Sequence, residues 1–299
     1  MIEVASLHYG VIFKKAFSQP HIFTALVNDF FGIELDIDKV ETEKSFSPVV
    51  GSVDSRFDLF AEDKKNRIIV DIQHKRLSDH YDRFLHYHCS ALLEQVTSAY
   101  NYTPKRTIYT LVVLTSGDRH KTDISVTDFE PKTLAGKGIG ETKHKMIYVC
   151  PKYVSDSTPE PYREWLEAID DSLDEKIDET QYENKTIQDI FALIKKDKTT
   201  PQEYARMKDE YANEEYLQDK KAKAREEGRK QGRKEGRKEG REEGKQQSKQ
   251  ETLISLLTLK FPQISNDKIK LIEATKDIQR LDHWLKQVAL ATEIEDIDF

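Results

Sequence analysis

RFDLFAEDKKNRIIVDIQHKR, residues 56 to 76, places one acid in each of two apolar runs, Asp58 in the first and Asp71 in the second. Between the runs lies Asp63-Lys64-Lys65-Asn66, a charged and polar stretch suited to a tight connection. The segments Val53 to Glu62 and Arg67 to His74 are rich in aromatic and β-branched residues, and they read as the two strands of a hairpin. Burying an unpaired carboxylate costs several kcal/mol, so both acids need an explanation.

Alternation along a strand supplies part of it. Ile68, Val70 and Ile72 share one face, and Ile69, Asp71, Gln73 and Lys75 share the other. Asp58 has the parity of Arg56 and Phe60, opposite to Phe57, Leu59 and Ala61. Both acids therefore fall on the less apolar faces. If the loop is Lys64-Lys65, or the four residues from Asp63 to Asn66, Asp58 stands directly opposite Asp71, with Cβ atoms about 4.5 to 5.5 Å apart. A three- or five-residue loop would break that opposition. Two opposed carboxylates repel unless a cation lies between them, and a hard ion with oxygen ligands, such as Mg²⁺, resolves both repulsion and burial. The residues alone leave a second reading open, in which both acids lie on a solvated face and pair weakly with Arg56 or Lys75.

Outward from the hairpin, apolar residues from Tyr9 to Phe31 recur at intervals of three and four with a break near Pro20, predicting one or two helices that end near Gly32. Ser45 to Val50 reads as a further strand, Asp79 to Tyr100 as a helix, and Arg106 to Thr115 and Lys143 to Val149 as strands; Gly117 to Gly140 reads as loop or edge strand. Mixed strands and helices imply an α/β core over residues 1–155. Helical patterns follow at Glu160 to Leu173, Lys185 to Ile194 and from Pro201 onward, giving an acidic helical region at 156–219. Then GRKQGRKEGRKEGREEGK repeats glycine at 228, 232, 236, 240 and 244. Each Gly costs about 1 kcal/mol in a helix relative to Ala, and the period sets like charges at i,i+4, so residues 220–250 are expected to be a marginal, solvated helix acting as a linker. The other reading is a stripe of small residues along which two helices approach. Residues 251–299 form a small helical module that buries little on its own and is expected to dock or pair.

The chain has 299 residues, of which 34% are charged, with a net charge of -7. The balance hides an asymmetry: residues 156 to 219 carry roughly -11 and residues 220 to 251 roughly +6. Cys89 and Cys150 match no metal-binding spacing, and no apolar run approaches the roughly 18 residues needed to span a bilayer. With no signal-like N-terminus, the expectation is a cytoplasmic protein without a membrane partner.

In order, VIFKKAF, RFDLFAED, NRIIVDIQHKR, DRFLHYHCSALLEQ, RTIYTLVVLTS and MIYVCPKYV resemble the PD-(D/E)XK nuclease superfamily, and within it the recombination-promoting nucleases also called transposases. The resemblance spans residues 9 to 153, and members frequently end in Glu/Lys/Gly repeats like this one. It implies a restriction-endonuclease-like core, a mixed sheet flanked by helices, followed here by a helical C-terminal region. It also implies a DNA endonuclease that uses Mg²⁺ or another divalent cation. Carried over, Asp58 and Asp71 are metal ligands, the backbone carbonyl of Ile72 completes the protein's share, and Gln73 takes the place usually held by lysine. Gln73 orients water without supplying charge, and Lys75, on the same face, restores it. Asp71 in place of the commoner Glu shortens reach by one methylene.

The opening helix in relatives often carries an acid shortly before Phe-Lys, and here Leu7-His8-Tyr9-Gly10 has none. Lys14, Lys15 and Arg83 read either as solvated helix charges or as phosphate contacts, whereas His86, Tyr87 and His88 read as packing or surface residues and Gln95, on an apolar stripe, is a weaker site candidate. DNA is the expected partner, in recombination or mobile-element chemistry, with the chain a homo-oligomer, a dimer by preference. The alternative is a catalytically weak or inactive nuclease-derived protein that binds nucleic acid or other proteins.

Overall fold

The computed structural model describes residues 1–47, 54–74, 79–96 and 100–299. In chain order its elements are β1 (Ile2–Glu3), α1 (Gly10–Phe17), α2 (Pro20–Phe31), β2 (Glu41–Phe46), β3 (Ser55–Glu62), β4 (Asn66–Gln73), α3 (His80–Leu93), β5 (Thr107–Leu114), β6 (Ile124–Asp128), β7 (Lys145–Val149), α4 (Tyr162–Asp171), β8 (Lys176–Ile177), α5 (Lys185–Ile194), α6 (Pro201–Lys260), α7 (Asn266–Ala274) and α8 (Ile278–Leu290). Two compact units result, Met1–Ala212 and Asn213–Phe299.

The first unit is built on a six-stranded mixed sheet of order β2-β3-β4-β5-β7-β6. The β3–β4 hairpin is antiparallel, and β4–β5 and β5–β7 are parallel. A parallel pair needs a crossover, and between β4 and β5 α3 supplies it. Strands buried on both faces read as continuous apolar runs, which explains NRIIVDIQ and TIYTLVVL. Leu59, Ala61, Ile68, Val70, Leu111 and Val113 face one cluster with α1, α2, α4 and α5. Phe60, Ile69, Val112 and Leu114 face another with Phe84, Tyr87 and Ala91 of α3. The restriction-endonuclease-like arrangement expected from the sequence is thus present, a mixed sheet flanked by helices with a long helical region after it.

Local chemistry explains the ends of the first helices. Pro20 starts α2 at a position where its missing N–H costs nothing, and Gly32 stops it in the left-handed region at φ 66°.

Several boundaries differ from expectation. The first sheet strand is Glu41–Phe46, earlier than the Ser45 to Val50 predicted, part of which lies outside the described residues. Its sequence ETEKSF is charged because it is an edge strand, where charge discourages further pairing and hides the apolar signal. The acidic region of residues 156–219 packs onto the core: Trp165, Leu166, Ile169, Ile187, Ile190 and Phe191 are buried in the same cluster as α1 and α2. The indole N–H of Trp165 donates to Asp29 Oδ2 at 2.7 Å. These are the faces of α4 and α5, where the helical patterns at Glu160 to Leu173 and Lys185 to Ile194 fall.

The glycine repeat lies inside α6, a single helix of 60 residues. The second unit has its own small core, in which Leu253 and Leu257 meet Ile272, Leu281, Trp284 and Val288. A Cβ built at any of the five repeat glycines meets nothing within 4 Å. Replacing all five by Ala therefore adds helix propensity of about 1 kcal/mol per site without a clash. The expected outcome is slower amide hydrogen exchange across residues 228 to 244, and unchanged exchange would contradict a helical repeat.

Candidate active site

In the β3–β4 hairpin Leu59 pairs with Val70, Phe60 with Ile69, Ala61 with Ile68 and Glu62 with Arg67. The loop is pinned by the Asp63 carboxylate, which accepts the Lys65 and Asn66 N–H groups, each at 2.7 Å. Continued by one step, this register sets Asp58 opposite Asp71, as the loop length required. There the carboxylates themselves take over the cross-strand bonding. The Asp58 N–H donates to Asp71 Oδ1, and the Ile72 N–H donates to Asp58 Oδ2, both at 3.0 Å.

The strict alternation expected of β3 slips at this point, because Phe57 and Phe60 both join the cluster facing α3. On the other side of the strand, Thr42 lies opposite Leu59 and Lys44 opposite Phe57, with Glu43 between them at φ 56°. That local distortion is where Asp58 sits.

Burial governs the electrostatics. Asp71 is 4% exposed, and its Oδ2 has no hydrogen-bond partner. Its carboxyl is held well above the usual range, first by burial and then by the charge of Asp58, against the Asp58 N–H, Arg83 and Lys14. The Asp58 side chain keeps 28% exposure, and burial still raises its carboxyl. Lys14 Nζ lies 3.7 Å from Asp58 Oδ1 and 2.8 Å from Glu43 Oε1. Arg56 pairs with Glu43 and not with Asp58, which removes one of the partners the solvated reading required.

The other expected residues divide. Gln73 is buried at the end of β4, and by strand alternation it shares a face with Asp71. Lys75 lies outside the described residues. Arg83 is exposed on α3, donates to the Tyr87 hydroxyl, and lowers the carboxyls of both acids by its charge. Lys15 is committed to Glu203 at 3.0 Å and to the Lys198 carbonyl at 2.7 Å. Tyr87 and His88 are core residues, with His88 Nδ1 bonded to Thr110 Oγ1 at 2.9 Å and its ring stacked on Phe129. His86 is exposed on the same helix. Gln95 is a brace, accepting the Arg106 N–H at 2.9 Å.

Two neighbours were missed by the sequence reading. The His8 ring lies 4.5 Å from the ring of His74, the residue after Gln73, and burial pushes His8 down to about 4, with His74 adding to the shift. Glu210, in the third turn of α6, accepts the Gly10 N–H at 2.8 Å and the Val11 N–H at 3.3 Å. An acid thus stands at the N-terminus of the opening helix after all, supplied from 200 positions away. Only the lack of an acid in Leu7-His8-Tyr9-Gly10 hinted at it.

Among the described residues no three His, Cys, Asp or Glu side chains converge on one point. The oxygens brought together here are those of the Asp58 and Asp71 carboxylates. Such a set suits Mg²⁺, which binds through one or two carboxylates and keeps several waters, and the unpartnered Asp71 Oδ2 is an oxygen of the required kind.

Comparison with known proteins gives one match: the model of the family described as PD-(D/E)XK nuclease family transposase covers residues 9–227. No curated protein and no solved structure matches the chain.

The raised carboxyls have a measurable consequence. Between the ordinary carboxylate value near about 4 and its raised folded value, Asp71 holds more proton in the folded protein than in the unfolded chain, so its contribution to stability falls as pH rises through that window. In chelator, Asp71→Asn is expected to raise the thermal midpoint near about pH 8, and the gain should shrink toward about pH 4, where Asp71 is itself protonated. A gain that grows on acidification would contradict the assignment.

Proposed function

The chain belongs to the PD-(D/E)XK nuclease family of transposases, and on that footing we propose that it is a divalent-metal-dependent endonuclease that hydrolyses phosphodiester bonds in DNA. The family supports a nuclease or mobile-element role. The observation that carries the finer reading is the Asp58–Asp71 pair, a part-buried and a buried acid whose carboxyls are both raised and one of whose oxygens, Asp71 Oδ2, is unpartnered. Such a pair is costly unless something positive compensates it.

Asp58, Asp71 and the Ile72 carbonyl would hold the cation. When bound, it polarises a phosphate oxygen and lowers the pKa of a water molecule. The backbone bonds to Asp58 Oδ2 and Asp71 Oδ1 fix both carboxylates, so their remaining oxygens point without reorganisation. Gln73 orients the attacking water through its amide and takes no proton from it. Lys14 and Arg83 offset the negative charge of an arriving phosphate, and Lys75, two positions after Gln73 in the sequence, would add charge. No described helix is long and apolar enough to cross a membrane. Self-association would come from the core and from the apolar helices after Glu251. A second reading, an inert nuclease-derived binding protein, draws on the neutral Gln73, and the same experiment separates the two.

Supercoiled plasmid should be nicked with Mg²⁺ and left intact in chelator. Asp58→Ala and Asp71→Ala should each lower the rate on the order of 100-fold or more, the scale of losing one group that stabilises developing charge. Cleavage that persists in chelator or in Asp71→Ala would sink the reading, and metal binding without cleavage would favour the inert protein. Gln73→Lys should keep or raise activity; a folded but inactive Gln73→Lys would show that the amide itself is required.

A further inference from the structure

Residues three and four apart share a face of a helix, and on the first turns of α6 that face carries Glu203, Arg206, Met207 and Glu210. Three of these are committed to the first unit. Met207 is buried in the main core, Glu210 seats the N-terminus of α1, and Glu203 pairs with Lys15 and accepts the Thr200 N–H at 2.7 Å. Arg206 is exposed and, among the described residues, forms no ion pair or hydrogen bond.

Beside Arg206 opens a cleft of about 350 Å³, walled by Lys14 and Gln19 from the first helices, Thr42 from β2 and Gln202 from α6. Its charged lining is Lys14, Lys15 and Arg206 against the single acid Glu203. The lysines already have anionic partners, Glu43 for Lys14 and Glu203 for Lys15, so Arg206 is the cation left for a ligand. Lys14 belongs to both places: it lines the cleft and lies 3.7 Å from Asp58 Oδ1. An anion in the cleft would thus share Lys14 with the carboxylate pair.

We propose that this cleft holds a backbone phosphate of the DNA strand being cut, neighbour to the phosphate at Asp58 and Asp71, with Arg206 as its anchor. The inference deepens the endonuclease reading and rests on it. A guanidinium gripping phosphate bidentately, with amide and hydroxyl donors around it, fits a phosphodiester oxygen pair better than a point charge would. The contact carries no sequence information and acts on position and affinity.

The test is binding of a fluorescent duplex oligonucleotide to the full chain in chelator, read by anisotropy over a range of salt. Arg206→Gln should weaken binding on the order of tenfold, as for loss of a charge-assisted contact, equally for different sequences. It should also lower the salt slope by about 1. Lys208→Gln, an exposed charge about 200° around the same helix, should change little. Wild-type binding with an unchanged Arg206→Gln, or an equal loss in Lys208→Gln, would overturn the cleft alone. Absence of wild-type binding both in chelator and with Ca²⁺ added would take down the DNA reading with it. If inorganic phosphate at matched ionic strength binds through Arg206 while oligonucleotide affinity does not depend on that residue, the cleft belongs to free phosphate and the strand proposal fails.

Discussion

Two acids facing each other on neighbouring strands, one buried and one part-buried, are the constraint from which the architecture of the first unit is best understood. Asp58 and Asp71 are tolerated because each accepts a backbone N–H from the other strand, and because Lys14 and Arg83 lower both carboxyls from opposite faces of the sheet. Even so, burial wins for both acids, and the charge of Asp58 adds to the penalty at Asp71. The pair is left short of positive charge, which is the physical content of a cation site. Helices α1 and α3 can be understood from this point: one brings Lys14 to the pair, the other brings Arg83, and both are fixed by apolar faces packed on the sheet.

The first turns of α6 extend the same logic. Glu210 accepts two N–H groups that the start of α1 cannot satisfy within the helix, while Met207 packs into the core behind it. The position of Lys14, one turn along α1, thus depends partly on a residue distant in sequence. Glu210 feels that arrangement in return: burial raises its carboxyl, the two N–H bonds and Lys14 lower it, and Asp58 raises it again. Beyond Ala212 the chain enters a second unit with a hydrophobic core of its own around Trp284.

Much of the site was legible locally. The alternation of IIVDI, the four-residue connection at Asp63 and the position of Gln73 after Asp71 are short-range properties, and a strand's period of two leaves few choices once the loop length is set. Charge hid one element: Glu41 to Lys44 belong to an edge strand. Charge did not hide α4 and α5, whose helical pattern shows in the acidic stretch after Asp156 and which bury Trp165 and Phe191, because a helix needs only one apolar stripe to join a core. The glycine repeat is the solvated helix its other residues favour, since the propensity penalty is spread along its length.

The sequence by itself determined the hairpin and the order of strands and helices that marks the family, and it made the opposition of Asp58 and Asp71 a consequence of loop length, which the observed register then decided. Each of these follows from periodicity, loop length or motif order within a few tens of residues. Only the tertiary structure decided which charges meet the pair: Lys14 near Asp58, His8 against His74, Glu210 on the start of α1, and Gln95 as a brace at Arg106 instead of a site residue. Those contacts join positions up to 200 residues apart, and no local pattern encodes them, because they arise from the packing of separate apolar faces on the two sides of one sheet.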